Sequence, residues 1–160
     1  MPDVDPSRFR QLLGRFATGV AIVTTRTADG RDVAMTANSV NSVSLAPPLV
    51  AVNVERTAEL HGAMSTAPAW AINVLGAAQE ELSRRFAAKS PDPFHGIGLR
   101  RSAGGLVVFE GIVAHLECER WAEYDGGDHS IFVGRVTGGE PGEGTPLIYF
   151  RGGYAALDRG

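Results

Sequence analysis

Apolar residues recur along this chain with two different periods, and the switches between them predict its elements. In "DPSRFRQLLGRFATG", Phe9, Leu12, Leu13 and Phe16 fall at i, i+3, i+4 and i+7, the spacing of one helical face. Asp5 or Ser7 suits the cap, Pro6 the first turn and Gly19 the end of that helix. The period then shortens. A β-branched run from Val20 to Thr25, the pair Asp29-Gly30 and a second strand from Asp32 toward Thr36 predict a hairpin whose register the Asp-Gly turn sets. "PLVAVNVE" is apolar at nearly every position, which predicts a strand covered on both faces.

"RTAELHGAM" then predicts a short helix capped by Thr57, "PAWAINVLG" a fourth strand, and "AAQEELSRRFAAK" a second short helix with Leu82 and Phe86 on one side. Residues 90 to 105, "SPDPFHGIGLRRSAGG", hold no sustained period and predict a long surface loop. Alternation resumes from Ile112 to Tyr124, passes through "DGGD", and continues from His129 to Val136, predicting a second hairpin. "PLIYFRGGYAAL" supplies a last strand and a tail. About six strands, mostly joined as hairpins, with two or three short helices predict a mainly β fold: a small antiparallel barrel with helices at its ends. There is neither a strand-helix alternation nor a glycine fingerprint for a doubly wound dinucleotide fold.

Composition narrows the picture. At 160 residues with 44% apolar and 21% charged content, the chain reads as one globular domain, 1–160, with a single core and no internal repeat. The 20 glycines and nine prolines favour many turns over long helices. A net charge of −3 with scattered arginines offers no electrostatic footprint for nucleic acid. Cys118 is the only cysteine, so an internal disulfide and a four-cysteine zinc site are both excluded, and a reducing cytoplasm fits. "MPDVDPSRF" lacks the order of a secretory signal, and no apolar run approaches a membrane span, so a soluble protein is expected.

The chemistry concentrates in "MTANSVNSVSLAPPLV". Taken alone, such a stretch of Ser, Thr and Asn reads first as a loop whose hydroxyls satisfy nearby backbone groups. Lying between core strands, its small neutral side chains also suit a flat heteroaromatic ring rich in carbonyl and ring-nitrogen acceptors, such as flavin. Asn53, Arg56 and Thr57 of "NVERTAEL" stand where a strand turns into a helix, a place where N–H groups, a hydroxyl and a guanidinium converge on a phosphate. No histidine set with metal-ligand spacing appears: His115 and Cys118 lie three apart in a strand and so point to opposite faces, and no metal is expected. No nucleophile elbow is present either.

The segments "FRQLLGRFATGVAIVTT", "MTANSVNSVSLAPPLVAVNVE", "LSRRFA", "GDHSIFVGRV" and "YFRGGYAAL" together span nearly the whole chain. In that combination the chain resembles the short-chain flavin reductases, the reductase components of two-component flavin-dependent monooxygenases. The resemblance implies an FMN-binding split barrel of Greek-key type and a cytoplasmic homodimer with FMN or FAD near the subunit interface. It further implies NAD(P)H-dependent reduction of free flavin, which is then supplied by diffusion to a partner monooxygenase. Carried over by position, Thr36, Ala37, Asn38 and Ser39 would border the flavin ring, and Asn53, Val54, Glu55, Arg56 and Thr57 would line its phosphate arm. Arg85 and Phe86 would close over the phosphate side, His129 would stand beside flavin and nicotinamide as the catalytic residue, and Arg151, Gly152 and Tyr154 would form the rim. FMN and FAD, like NADH and NADPH, stay open as alternatives; Arg100, Arg101 and Arg151 are the cations available for a 2′-phosphate. A non-catalytic flavin- or haem-binding module on the same barrel is the alternative function.

Overall fold

The computed structural model describes residues 3–157, and among them three short helices and twelve strands. The helices are α1 (Pro6–Leu13), α2 (Glu59–Thr66) and α3 (Glu80–Ala87). Strands β1 to β6 span Thr18–Gly19, Ala21–Arg26, Asp32–Ala37, Asn41–Leu45, Pro48–Glu55 and Ala69–Val74; β7 to β12 span Leu99–Arg101, Val107–Phe109, Ala114–Gly126, His129–Pro141, Ile148–Phe150 and Gly153–Ala155. A seven-stranded sheet runs in the order β3-β2-β6-β9-β10-β5-β4, beside a three-stranded sheet β1-β11-β12 and the pair β7-β8, and every ladder is antiparallel. The mainly β expectation stands.

The sheet curls because of its edges. Strands β3 and β4 lie at opposite ends of the sheet order, yet residues 38–40 alone join them. A chain spans at most about 3.6 Å per residue, so the two edges must come together and the sheet bends into a split barrel. The interior is filled by Val23, Val52, Val54, Trp70, Ile72 and Phe132, closed off by Leu60 and Met64 of α2. A second apolar cluster of Val20, Ile22, Leu75, Phe86, Val107 and Phe109 lies on the other side of β2, under α3 and β8. Side chains alternate across a strand, so Ala21 and Val23 enter one cluster while Val20 and Ile22 enter the other. The unbroken apolar run of β2 follows from that double burial.

Several boundaries depart from the sequence reading. Helix α1 is capped by Asp5, whose carboxylate accepts from the Ser7 hydroxyl at 2.6 Å and from the Ser7 and Arg8 backbone N–H groups at 3.0 and 3.1 Å. These bonds, the Ser7 hydroxyl first, hold the Asp5 carboxyl below its ordinary range. The helix ends at Leu13 with Gly14 as its cap, short of Gly19. Its apolar face stays largely exposed among the described residues: Phe9, Leu12, Leu13 and the following Phe16 are 56%, 48%, 53% and 73% exposed. Thr57 does not cap α2; the helix starts after Ala58 without a side-chain cap, and the Thr57 hydroxyl donates to Glu55 at 3.0 Å.

The stretch from Ser90 to Gly105 is no plain loop, because β7 pairs with β8 within and beyond it. Phe94 fastens the stretch to the second cluster, its ring 5.1 Å from Phe86 and 6.3 Å from Phe109. The last segment forms a hairpin, β11-β12, where one strand and a tail were expected. The edge strand β4 carries no apolar alternation, with every residue exposed except Ser44, and so escapes a period-based reading.

Candidate functional site

The hydroxyl-rich segment occupies the seam of the barrel. Ala37 and Val54 point into the interior cluster, so by alternation Thr36, Asn53 and Glu55 stand on the outer face of the same sheet. Ser39, in the short link between the edges, ties that link to β5: its Oγ accepts from the Asn53 N–H at 3.0 Å and donates to the Asn53 carbonyl at 3.1 Å. The Asn41 amide donates to the Ser39 carbonyl at 3.0 Å and fixes the bend. Asn38 is exposed beside them.

At the end of β5 the chain meets the β9-β10 hairpin. Glu55 pairs in register with His129, and the Arg56 N–H donates to the Asp128 carbonyl at 3.0 Å. Directly opposed residues share a face, so Asn53, Glu55, His129 and Ile131 all face outward while Val52, Val54, Ser130 and Phe132 face inward. His129 Nδ1 lies 2.6 Å from Asp128 Oδ1; this hydrogen bond, with the ring's charge, holds the Asp128 carboxyl below its ordinary range. The Arg56 guanidinium is engaged by the Gly127 carbonyl at 3.0 Å and Asp125 at 2.5 Å. Gly127 sits at the first of two loop positions with φ +78°, where a tight hairpin needs glycine.

A second group forms on the same outer face under α3. Thr36 Oγ1 donates to the Ser83 carbonyl at 2.6 Å, Ser83 Oγ lies 2.8 Å from the Tyr154 hydroxyl, and the Arg84 guanidinium covers the Tyr154 ring at 4.7 Å. Thr36, α3 and β12 are thereby joined at the edge of the seam. Arg85 turns elsewhere: it donates to the His95 and Asp92 carbonyls at 2.6 and 3.5 Å and pins the 92–95 segment. Arg151 and Gly152 form the two-residue loop between β11 and β12, and Arg151 donates its backbone N–H to Gly14 at 2.8 Å.

Three of the sequence candidates offer backbone alone. The side chains of Ala37 and Val54 belong to the interior, and Phe86 is buried against Phe94 and Phe109, so its ring is a core residue of the helix it rides on. Ser83 and Asp128 were not singled out from sequence. A serine three positions before Phe86 on an amphipathic helix, and an aspartate next to "HSIFVGRV", were the available signals. Among the described residues no group of three or more His, Cys, Asp or Glu is arranged to hold a metal ion, and no helix is long and apolar enough to cross a membrane.

The chain as a whole is similar to known proteins. Residues 13–158 match the flavin reductase like domain. An FMN reductase (NADH), SmoA, of Agrobacterium fabrum is 39% identical over 160 residues, covering 99% of this chain and 91% of that protein. A reductase subunit of a flavin-dependent monooxygenase, HsaB of Rhodococcus jostii, is 37% identical over 97% of this chain and 80% of its own length. The chain spans only about half of a probable flavin reductase of Rhizobium meliloti, 48% of that protein at 39% identity over 94% of this chain. Among solved structures, the NADH:FAD oxidoreductase SgcE6 of Streptomyces globisporus, in complex with NAD and FAD fragments, superposes with a TM-score of 0.92 at 35% identity, covering 99% of this chain and 98% of that one. With a domain match over most of its length and relatives of this identity across nearly all of it, the chain belongs to the flavin reductase-like family.

Proposed function

We propose that this chain, acting as a single flavin reductase-like domain, uses NAD(P)H to reduce free FMN or FAD and releases the product to a partner monooxygenase. The observation that carries the reading is the outer face of the seam, where Ser39 is bonded to Asn53 and Glu55 stands opposite His129 within a chain of this family. Relatives named NADH-dependent flavin reductase and flavin reductase (NADH) favour NADH as the donor.

The donor set fits a flavin ring. Asn38, Ser39, Asn41 and Asn53 are neutral, and a ring edge bearing carbonyls and nitrogens needs such donors rather than strong acids or bases. Flavin, when bound, supplies an electrophilic ring position that takes a hydride from reduced nicotinamide. The chain's part is positional: reacting atoms are brought to about 3–3.5 Å, and fixed donors meet the charge that develops on the ring. The backbone of residues 36–39 would border the ring, and residues 53–57 would line its arm. Asp128 holds the His129 ring at Nδ1 and would fix its orientation beside the nicotinamide. Tyr154, held by Ser83, forms the rim with Gly152.

The protein is cytoplasmic and homodimeric in this reading. The uncovered face of Phe9, Leu12, Leu13 and Phe16 supports self-association, since an apolar stripe on a helix ordinarily faces a partner surface. Light scattering on the native protein and on a Leu13→Asp, Phe16→Asp variant checks it: a dimer that becomes a monomer is expected.

The deciding measurement crosses FMN and FAD with NADH and NADPH in a steady-state assay. Oxidation of NADH that requires added flavin is expected, with a loss of at least tenfold in His129→Ala. Tight flavin binding without turnover of either nicotinamide, unchanged in His129→Ala, would establish the non-catalytic binder instead.

A further inference from the structure

Fourteen arginines punctuate this sequence, and two groups of them stand out in the fold, while Arg26 and Arg85 bond to backbone carbonyls. Seven of them, from Arg31 to Arg135, each face a carboxylate within 4.0 Å. Arg8, Arg10, Arg15 and Arg151 have no carboxylate partner among the described residues, and all four line one cavity of about 530 Å³ between α1 and the β11-β12 loop, with Gln11 and Gly152. The scattered arginines of the sequence are thus a cluster in space. In a chain of net charge −3, four uncompensated guanidinium groups around one cavity make a local anion site. The negative end of α1, worth about half an elementary charge, offsets only a small part of it.

The loop that contributes Arg151 adds an independent sign. Arg151 and Gly152 both have positive φ, +52° and +78°, the backbone of a tight two-residue hairpin in which Asn or Gly is the favoured first residue. An arginine held there is strained, and backbone strain of this kind gathers at ligand sites. At the seam, Arg56 is already paired with Asp125. Arg100 and Arg101 are likewise occupied, by Glu140 and Asp32.

We propose that the cavity between α1 and the β11-β12 loop binds a diphosphate group, the chemistry shared by a nicotinamide dinucleotide and by FAD. The identity of the carrier rests on the proposed function, because Gly152 belongs both to this cavity and to the rim of the flavin site; the anion site itself does not.

Inorganic pyrophosphate is the direct probe, titrated calorimetrically into the native protein and into an Arg10→Gln, Arg15→Gln variant. Helix α1 buries none of its residues, so this variant keeps the fold. Arg151→Asn is the second variant, since asparagine suits the loop conformation while removing a cation. Arg120→Gln, Arg135→Gln controls for net charge. Pyrophosphate affinity should fall at least tenfold in both cavity variants, weaken with ionic strength, and change less than twofold in the control. With FMN as the flavin, a rise of at least fivefold in KM for NADH assigns the site to the nicotinamide dinucleotide; a loss of FAD affinity with FMN affinity retained assigns it to FAD. Pyrophosphate binding that is absent, or equal in cavity variants and control, overturns the proposal. Pyrophosphate binding that depends on these arginines in a protein without flavin-dependent NADH oxidation would overturn the proposed function and leave the anion site standing.

Discussion

Ser39 Oγ holds both backbone groups of Asn53, accepting from its N–H at 3.0 Å and donating to its carbonyl at 3.1 Å. One hydroxyl thereby replaces the ladder contacts that β5 would otherwise make with another strand at the point where the barrel splits. Ser39→Ala removes both bonds and should cost about 1–3 kcal/mol of stability by chemical denaturation. Flavin affinity should fall as well, because the link bordering the ring loses its tether. Unchanged stability and affinity would show that the seam is held by other means.

Gly134 permits a close packing of the barrel interior. A Cβ at this position would lie 2.6 Å from Trp70 Cζ2 and 2.8 Å from Cys118 Cβ, both buried. Gly134 also adjoins a register shift between β9 and β10. Gly134→Ala should destabilise the protein by about 1–3 kcal/mol through overpacking. Urea unfolding followed by the fluorescence of Trp70 and Trp121 measures this.

Ser83 and Tyr154 join α3 to the last strand through a hydrogen bond of 2.8 Å, with Ser83 fully buried. Tyr154→Phe leaves the Ser83 hydroxyl buried without its partner and should cost about 1–2 kcal/mol. Adding Ser83→Ala should recover part of that loss, since removing both polar partners costs less than orphaning one. A double-mutant cycle by thermal denaturation reads the coupling, and strict additivity would deny the bond any role.

Cys118 is buried, and its thiol is pushed up to about 12, chiefly by that burial and secondarily by the charge of Glu117. The unfolded thiol ionises near its ordinary value of 9.0, so between about pH 9 and pH 12 the unfolded state sheds a proton that the folded state keeps. Stability is therefore lost as pH rises through this window, by up to about 1.4 kcal/mol per pH unit from this group. The thiolate is the reactive form, so alkylation at pH 8 should be slow in native protein and fast in denaturant. Cys118→Ser should flatten the alkaline part of the stability profile. Rapid alkylation of native protein would contradict the burial.

Legibility in the sequence followed the strength of the local signal. The β9-β10 hairpin was readable because "DGGD" interrupts a long alternation, and β2 and β5 because β-branched residues run together there. Strand β4 was not readable: an edge strand of Asn, Ser and Val exposed on both sides has no period to find. The candidate site was readable as a set of residue types, and the resemblance added positions. Ser83 escaped because a serine on a helix signals nothing until its neighbour in space is known. The apolar stripe of α1 was visible, while its exposure among the described residues was not.

The order of periods, the turn pairs and the neutral, hydroxyl-rich character of residues 36–44 were determined by the amino-acid sequence alone, since each rests on dihedral preferences and side-chain alternation within a few residues. The closing of β3 toward β4, the inward turn of Ala37, Val54 and Phe86, and the gathering of Arg8, Arg10 and Arg15 with Arg151 were decided by the tertiary structure. Those arginines come from opposite ends of the chain and meet because Thr18 pairs with Tyr149 across β1 and β11. Such long-range register depends on how the whole apolar surface is buried at once, and no local stretch of residues contains it.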